Sequence, residues 1–169
     1  TLRANRDWAV IQADIHSEAA CTPRLLSAAN LREGDASLLV GGPPCQPFSK
    51  SGFWASGEAK RLSDPRAATL VEYLRVLHEA KPQAFLLENV PGLAFSGKSE
   101  GLEFLQRSIE SINRKTGTNY GFEYAVINAA DYGVPQLRQR VFVVGHRDGK
   151  EFVFPAATHH AQQDDVELF

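Results

Sequence analysis

The sequence of 169 residues has little of several features that would narrow its class at once. Its only two cysteines, Cys21 and Cys45, are too few for a disulfide scaffold and lack the close paired spacing of a zinc site. No apolar run approaches the roughly 20 residues that span a bilayer, and the first residues contain no signal-peptide core. We therefore expect a cytoplasmic protein with no membrane partner and no bound metal.

The sequence also lacks an excess of either charge. Its 18 Lys and Arg residues against 20 Asp and Glu residues give a formal net charge of -2, so the chain as a whole does not attract a polyanion. Any nucleic-acid contact must come from local basic clusters. Such clusters are Lys60 with Arg61, Arg66 alone, and Arg138 with Arg140.

Short β-rich apolar runs alternate with helical patterns, without internal repeats, which predicts an α/β fold of one domain. Strands are predicted at 8–11, 37–40, 84–87, 124–127 and 141–144, and helices at about 22–31, from 64 onward and at 100–115. The last two helices are predicted to turn one apolar face toward the core, with Leu70, Leu74 and Leu77 on the first and Leu102, Leu105, Ile109 and Ile112 on the second. The continuous apolar run at 37–40 is typical of a strand buried on both faces of a parallel sheet. The last two strands have no helix between them, which predicts an antiparallel edge.

Three chemically useful residues each follow a predicted strand: Asp14, Cys45 and Glu88. Because ligands of open α/β sheets bind outside the carboxyl ends of the strands, we expect these residues to converge in one crevice. The stretch 46–63 is rich in Ser, Gly and Lys and is too polar for a core. It is interpreted as a mobile loop, with a disordered surface segment as the alternative.

The setting of Cys45 is unusual. The segment 41–49, Gly-Gly-Pro-Pro-Cys-Gln-Pro-Phe-Ser, has three prolines and two glycines, which restrict the backbone around a single thiol. A buried structural cysteine does not need such a setting. Cys45 is therefore predicted to be reactive, whereas Cys21 is interpreted as a small core residue.

Three segments occur together in one order: Pro-Pro-Cys-Gln-Pro-Phe-Ser at 43–49, Glu-Asn-Val at 88–90 and Gln-Leu-Arg-Gln-Arg at 136–140. They resemble the nucleophile, Glu-Asn-Val and Gln-x-Arg-x-Arg motifs of the DNA (cytosine-5)-methyltransferase family. One such match would be weak, but three in order over about 100 residues are specific. The resemblance implies the Rossmann-like, mostly parallel sheet of S-adenosylmethionine-dependent methyltransferases, incomplete at the N-terminal end.

The resemblance also implies a mechanism. The thiolate of Cys45 would add to C6 of a cytosine flipped out of duplex DNA, so that C5 can attack the methyl sulfonium of S-adenosylmethionine. Glu88 would serve N3 of the base and Arg140 its O2, where charge develops. Without these motifs, Glu88 would be interpreted as a solvated strand-end carboxylate or a helix cap. Arg138 and Arg140 would be interpreted as a surface salt bridge or as part of a solvated edge strand. Arg138 is counted with Cys45, Glu88 and Arg140 among the candidate catalytic residues, and its role stays open between a surface position and bracing of the Cys45 loop.

By the same resemblance, four residues are expected at the methyl donor. Asp14 would accept a hydrogen bond from the adenine amino group, Ile15 would pack nearby, and Pro44 would border the donor pocket. Thr69 stands where the family usually has an apolar residue, so its assignment to this pocket is the weakest. Gln46 and Ser49 would contact DNA as the loop at 46–63 closes over the flipped base, together with Arg138 and Arg140.

Residues 1–150 are predicted to form a partial methyltransferase catalytic domain and 151–169 an exit segment toward a target-recognition region. The glycine-rich donor turn that begins the family does not precede Thr1, so we expect the chain alone to be inactive. A complementing polypeptide and a cognate restriction endonuclease are the protein partners left open.

Two other functions also stay open: an RNA cytosine-5 methyltransferase on the same fold, and a non-catalytic fragment that only binds a partner. Thymidylate synthases also place a cysteine after Pro-Pro, but they lack the other two segments.

Overall fold

The computed structural model describes residues 2–16, 21–44, 68–95 and 100–159. The helices are α1 (Leu2–Asn5), α2 (Cys21–Ala28), α3 (Ala68–Ala80), α4 (Gly92–Phe95) and α5 (Glu100–Thr116). The strands are β1 (Leu38–Gly41), β2 (Ala84–Asn89), β3 (Gly121–Asn128) and β4 (Gln139–His146), with a 3-10 helix at Ala129–Tyr132. Within these ranges no helix is long and apolar enough to cross a membrane.

The four strands form one sheet in the order β1-β2-β4-β3. Strand β1 runs parallel to β2, whereas β4 is antiparallel to both of its neighbours, β2 and β3. The α/β class is therefore confirmed, and so is the antiparallel pairing of the two late strands. The sequence did not predict that β4 inserts between β2 and β3.

The core lies between one face of the sheet and helices α3 and α5. Alternate residues of the two central strands point toward this core, namely Phe85 and Leu87 from β2 and Val141 and Val143 from β4. The apolar residues at helical spacing meet them there: Leu70, Leu74 and Leu77 from α3, and Leu105, Ile109 and Ile112 from α5. Burial of one such side chain stabilises the fold by about 1.5–3 kcal/mol, so this face supplies much of the stability.

Two predictions about strands are wrong. Residues 8–11 form no strand. A strand needs a hydrogen-bonded neighbour, and within the described residues the outer edge of β1 is not paired with this segment, since β1 pairs only with β2. Strand β1 is not buried on both faces, since Leu38 is 52% and Val40 is 61% exposed. The side chains of Leu38 and Val40 lie on the face of the sheet that α3 and α5 do not cover. The predicted loop at 46–63 lies outside the described residues.

Replacing Gly145 with alanine is expected to destabilise the fold by about 1–3 kcal/mol, the usual cost of overpacking a core. A Cβ at this position of β4 would overlap the Phe85 ring and lie 2.6 Å from the Gly121 carbonyl oxygen. Gly121→Ala is the matched control, because its Cβ would meet only an ordinary contact at 3.6 Å. Urea unfolding of both variants measures the difference, and equal stabilities would contradict this packing.

Candidate active site

A carboxylate and a guanidinium meet at the carboxyl end of β2. Glu88 is opposite Phe142 in the β2–β4 register, so Arg140 lies two residues along on the same face of the sheet. The Arg140 Nε atom donates to Glu88 Oε1 at 2.8 Å, with 24% of the arginine and 37% of the glutamate side chain exposed. Arg140 Nη1 also donates to the Gln139 carbonyl oxygen at 2.8 Å. The pair is thus anchored yet open to a ligand.

The chain that leads to Cys45 approaches this pair closely. A Cβ on Gly42 would lie 3.2 Å from Glu88 Oε2. Next to Glu88, the buried Asn89 donates from Nδ2 to the Pro43 carbonyl oxygen at 3.1 Å and accepts from the Val90 amide at 2.8 Å. Asn89 therefore ties the end of β2 to the loop after β1. Cys45, Gln46 and Ser49 lie outside the described residues.

Tyr73 on α3 contacts the same ends of β1 and β2 from the core side of the sheet. Its hydroxyl donates to the Leu86 carbonyl oxygen at 3.1 Å and reaches the Leu39 carbonyl oxygen at 3.4 Å. Burial raises the pKa of this hydroxyl well above its usual value, so the group stays protonated and remains a donor. Its ring also lies where Gly41 has no side chain, since a Cβ there would come within 2.6 Å of the ring.

Sequence reasoning assigned no role to Asn89 or Tyr73. Asn89 belongs to the Glu-Asn-Val segment. An asparagine at the end of an apolar strand could have indicated a buried side-chain hydrogen bond. Tyr73 was the polar exception on the apolar face of α3. Both residues act as supports for the loop that leads to Cys45.

Arg138 lies at the edge of the site. Its backbone amide donates to Asn128 Oδ1 at 3.0 Å, and its carbonyl oxygen accepts from the Ala129 amide at 2.9 Å. These bonds fix the backbone between the 3-10 helix and β4. The Arg138 side chain is exposed.

Glu88, Arg138 and Arg140 line one part of a pocket of about 440 Å³ on the sheet face opposite the core. The remaining lining is almost wholly apolar: Leu86, Ile127, Ala129, Tyr132, Val134, Phe142, Val144, Phe152, Phe154 and Pro155. The described part of the predicted exit segment forms one wall, held by a hydrogen bond of 2.8 Å from the Tyr132 hydroxyl to the Pro155 carbonyl oxygen. The charged groups therefore lie at the edge of a largely apolar pocket.

Of the four residues predicted at the methyl donor, Asp14, Ile15 and Thr69 lie around His16, whereas Pro44 lies on the loop after β1. Asp14 Oδ1 accepts from the His16 amide at 2.9 Å, which closes a tight turn with the half-buried Ile15 at its centre. Thr69, in the first turn of α3, places its Oγ1 3.3 Å from His16 Nε2. Pro44 lies on the loop after β1, next to the residue that Asn89 holds. In the described ranges no cluster of His, Cys, Asp or Glu could hold a metal ion.

Asn89→Ala is expected to lower the free energy of unfolding by about 1–3 kcal/mol, because it leaves the Pro43 carbonyl and the Val90 amide without their partner. Gln83→Ala, which removes an exposed amide side chain just before β2, is the control for amide removal. Urea unfolding measures both. An Asn89→Ala protein as stable as the parent would show that the loop needs no such tie.

Comparisons with known proteins identify the family of the chain. The family model described as C-5 cytosine-specific DNA methylase matches residues 1–168. Type II methyltransferase M.SacI of Streptomyces achromogenes is 48% identical over 143 residues, which cover 85% of this chain and 35% of M.SacI. Type II methyltransferase M.AquIA of Picosynechococcus is 41% identical over 174 residues, which cover 100% of this chain and 67% of M.AquIA.

The solved structure of the Entamoeba histolytica methyltransferase EhMeth superposes with a TM-score of 0.57 at 25% identity, covering 81% of this chain and 38% of EhMeth. The described helices and strands thus have the Rossmann-like fold predicted from the motifs. The chain spans about a third of M.SacI and about two thirds of M.AquIA. Since the family model extends over almost every residue, the chain belongs to the C-5 cytosine-specific DNA methylase family.

Proposed function

We propose that the protein containing this chain methylates C5 of cytosine in duplex DNA. The observation that carries the proposal is the Glu88–Arg140 pair, at the strand ends against which the loop toward Cys45 lies. Family membership supplies the reaction class, and the pair supplies complementary donor and acceptor groups for a cytosine ring.

We propose Cys45 as the nucleophile. Carbon C5 of cytosine reacts poorly with a methyl donor, and addition of a thiolate to C6 converts the ring to an enamine that is nucleophilic at C5. Cys45 directly follows Pro44, and the preceding Pro43 is tied to Asn89 beside Glu88. This continuity of the chain supports action of the thiol next to the ion pair. Because C6 is inaccessible inside the duplex, the base must be flipped out first.

Glu88 and Arg140 are proposed to stabilise the charge that this addition creates. Thiolate addition to C6 pushes negative charge toward N3 and O2. A Glu88 carboxyl group that carries a proton would donate it to N3, and the guanidinium of Arg140 would donate hydrogen bonds to O2. Within the described part of the chain, the contacts of Arg140 use two of its five N–H donors. Donors therefore remain for a carbonyl oxygen. Arg138, exposed at the pocket edge, is proposed to contact the DNA backbone together with Gln46 and Ser49.

The family implies S-adenosylmethionine as the donor, and the turn at Asp14 fits one part of it. An exposed carboxylate can accept a hydrogen bond from an adenine amino group, and the adjoining Ile15 offers an apolar surface to the ring. When bound, the donor supplies a methyl group attached to a positively charged sulfur. Pro44 and Thr69 are proposed as further residues around the donor, with the Thr69 hydroxyl already near His16.

The chain spans only 35% of M.SacI, and we propose that catalysis uses polypeptide beyond these 169 residues. Residues 1–150 would form the catalytic part and 151–169 the path toward a target-reading region. A complementing chain and a cognate restriction endonuclease are the protein partners that fit a type II methyltransferase.

The proposal is tested by transfer of a radioactive methyl group from S-adenosylmethionine to unmethylated duplex DNA and, in parallel, to tRNA. We expect the intact protein to label DNA at cytosine C5. Labelling of tRNA alone would support the RNA methyltransferase instead. Donor binding without transfer to either substrate would support a non-catalytic role.

A further inference from the structure

Helix α3 carries an arginine whose guanidinium is held by two carboxylates of the same helix. Arg75 Nε donates to Glu72 Oε2 at 2.6 Å, and Arg75 Nη1 donates to Glu79 Oε2 at 2.9 Å. These residues lie three positions before and four positions after Arg75, where helical neighbours meet. All three side chains are at least two thirds buried. The guanidinium is therefore fixed in one position rather than mobile in water.

From that position Arg75 reaches two other segments of the chain. Its Nη2 donates to the Ile15 carbonyl oxygen at 3.3 Å, and its Nη1 lies 3.4 Å from the hydroxyl of the buried Thr22 on α2. Further toward the N-terminus of α3, Thr69 contacts His16. The turn at 14–16, which belongs to no helix or strand, is thus attached to α3 at two points.

We propose that Arg75 is a positioning residue for the methyl donor, acting through the backbone of the Asp14–Ile15 turn. This inference rests on the proposed function, which assigns the turn to the donor. Ordering a free segment when a ligand binds costs backbone conformational entropy. A turn already held by a charged donor avoids that cost when the ligand binds, which raises affinity by preorganisation.

The residue types favour positioning over simple stabilisation of α3. Two carboxylates already satisfy the charge of Arg75, so an ion pair within the helix needs no contact with residue 15. A lysine has a single ammonium group, which cannot reproduce the planar geometry that serves Glu72, Glu79 and Ile15 together. Arg75→Lys therefore preserves the charge while removing the simultaneous contacts.

The test compares Arg75→Ala and Arg75→Lys in the intact protein. The first measurement is hydrogen exchange of the amides of residues 14–16 without donor. The second is the dissociation constant of S-adenosylmethionine by equilibrium dialysis, followed by KM for the donor and kcat. We expect faster exchange and a roughly tenfold higher dissociation constant and KM for Arg75→Ala, equivalent to about 1.4 kcal/mol. The expected change in kcat at saturating donor is less than about twofold, and Arg75→Lys should be intermediate.

Two controls separate positioning from general damage. Arg107→Ala removes an exposed arginine that also pairs with a glutamate on its own helix, Glu103 of α5, and should change neither measurement. Asn113→Ala weakens the fold elsewhere, because Asn113 bonds both the amide and the carbonyl of Tyr120. It should lower stability without raising the dissociation constant of the donor.

Unchanged exchange and affinity in a folded Arg75→Ala protein would overturn the inference. Positioning is equally excluded if Asn113→Ala weakens donor binding to the same extent, or if Arg75→Ala lowers kcat and leaves KM unchanged. Should Arg75→Ala fail to fold, Arg75→Lys decides by the same measurements. A parent protein that binds no S-adenosylmethionine would instead overturn the assignment of the turn to the donor, while faster exchange in the variants would still establish the attachment to α3.

Discussion

Replacing Cys45 with alanine is expected to abolish methyl transfer while leaving the protein folded. Without the thiolate no bond to C6 forms, and the cytosine ring stays unreactive at C5. Loss of a covalent nucleophile in other enzymes reaches about 10⁶-fold, and we expect a fall of at least about 10⁴-fold in kcat. Methyl transfer to duplex DNA under single-turnover conditions measures it. Normal transfer by Cys45→Ala would exclude the covalent mechanism.

A second measurement identifies the reactive sulfur directly. A duplex with 5-fluorocytosine at the target position should trap the protein covalently, because the methylated base then has no C5 proton to lose. The adduct should survive denaturing electrophoresis. Cys21→Ala is the matched control: Cys21 is buried in α2, so its removal should leave adduct formation intact, whereas Cys45→Ala should form none.

Glu88→Gln is expected to slow methyl transfer by about 10² to 10³, the usual effect of removing one group that stabilises developing charge. The change also removes the ion pair with Arg140. Ion pairs this accessible are worth only about 0–1 kcal/mol, whereas the expected loss of rate corresponds to about 2.7–4 kcal/mol. Stability should therefore change far less than the barrier to reaction.

The affinity for DNA distinguishes catalysis from binding at this position. Glu88→Gln should bind the duplex almost as tightly as the parent, since the interaction strengthens mainly in the transition state. Glu123→Gln, on the exposed surface of β3, controls for the loss of one negative charge outside the candidate site. A parallel fall of affinity and turnover in Glu88→Gln would make Glu88 a binding residue.

Sequence patterns predicted the local elements of this fold well, because they depend on neighbouring residues. The apolar spacing of α3 and α5 put Leu74 and Ile109 in the core, as the structure confirms. Spacing could not predict which strands pair. Glu88 and Arg140 are close because β4 lies beside β2 rather than beside β3 alone, and only the family resemblance indicated that they act together.

The failures have the same cause. The apolar run at 8–11 favours an extended backbone, but a strand also requires a partner, which a sequence pattern does not name. The contacts of Asn89 with Pro43 and of Arg75 with Ile15 join residues 46 and 60 positions apart. Such polar contacts depend on the assembled topology, so the pattern of residues around either partner did not reveal them.

The insertion of β4 has a consequence for how the chain is made. Ala84 pairs with His146 and Asn89 with Val141, so β2 acquires its second neighbour only after roughly 50 to 60 more residues have been synthesised. Pairings this distant form slowly because a long loop must close first. Until then one edge of β2 exposes unpaired amides and carbonyls, a known route to aggregation. The ion pair at Glu88 therefore forms only when this edge closes, which makes it a marker of completed folding.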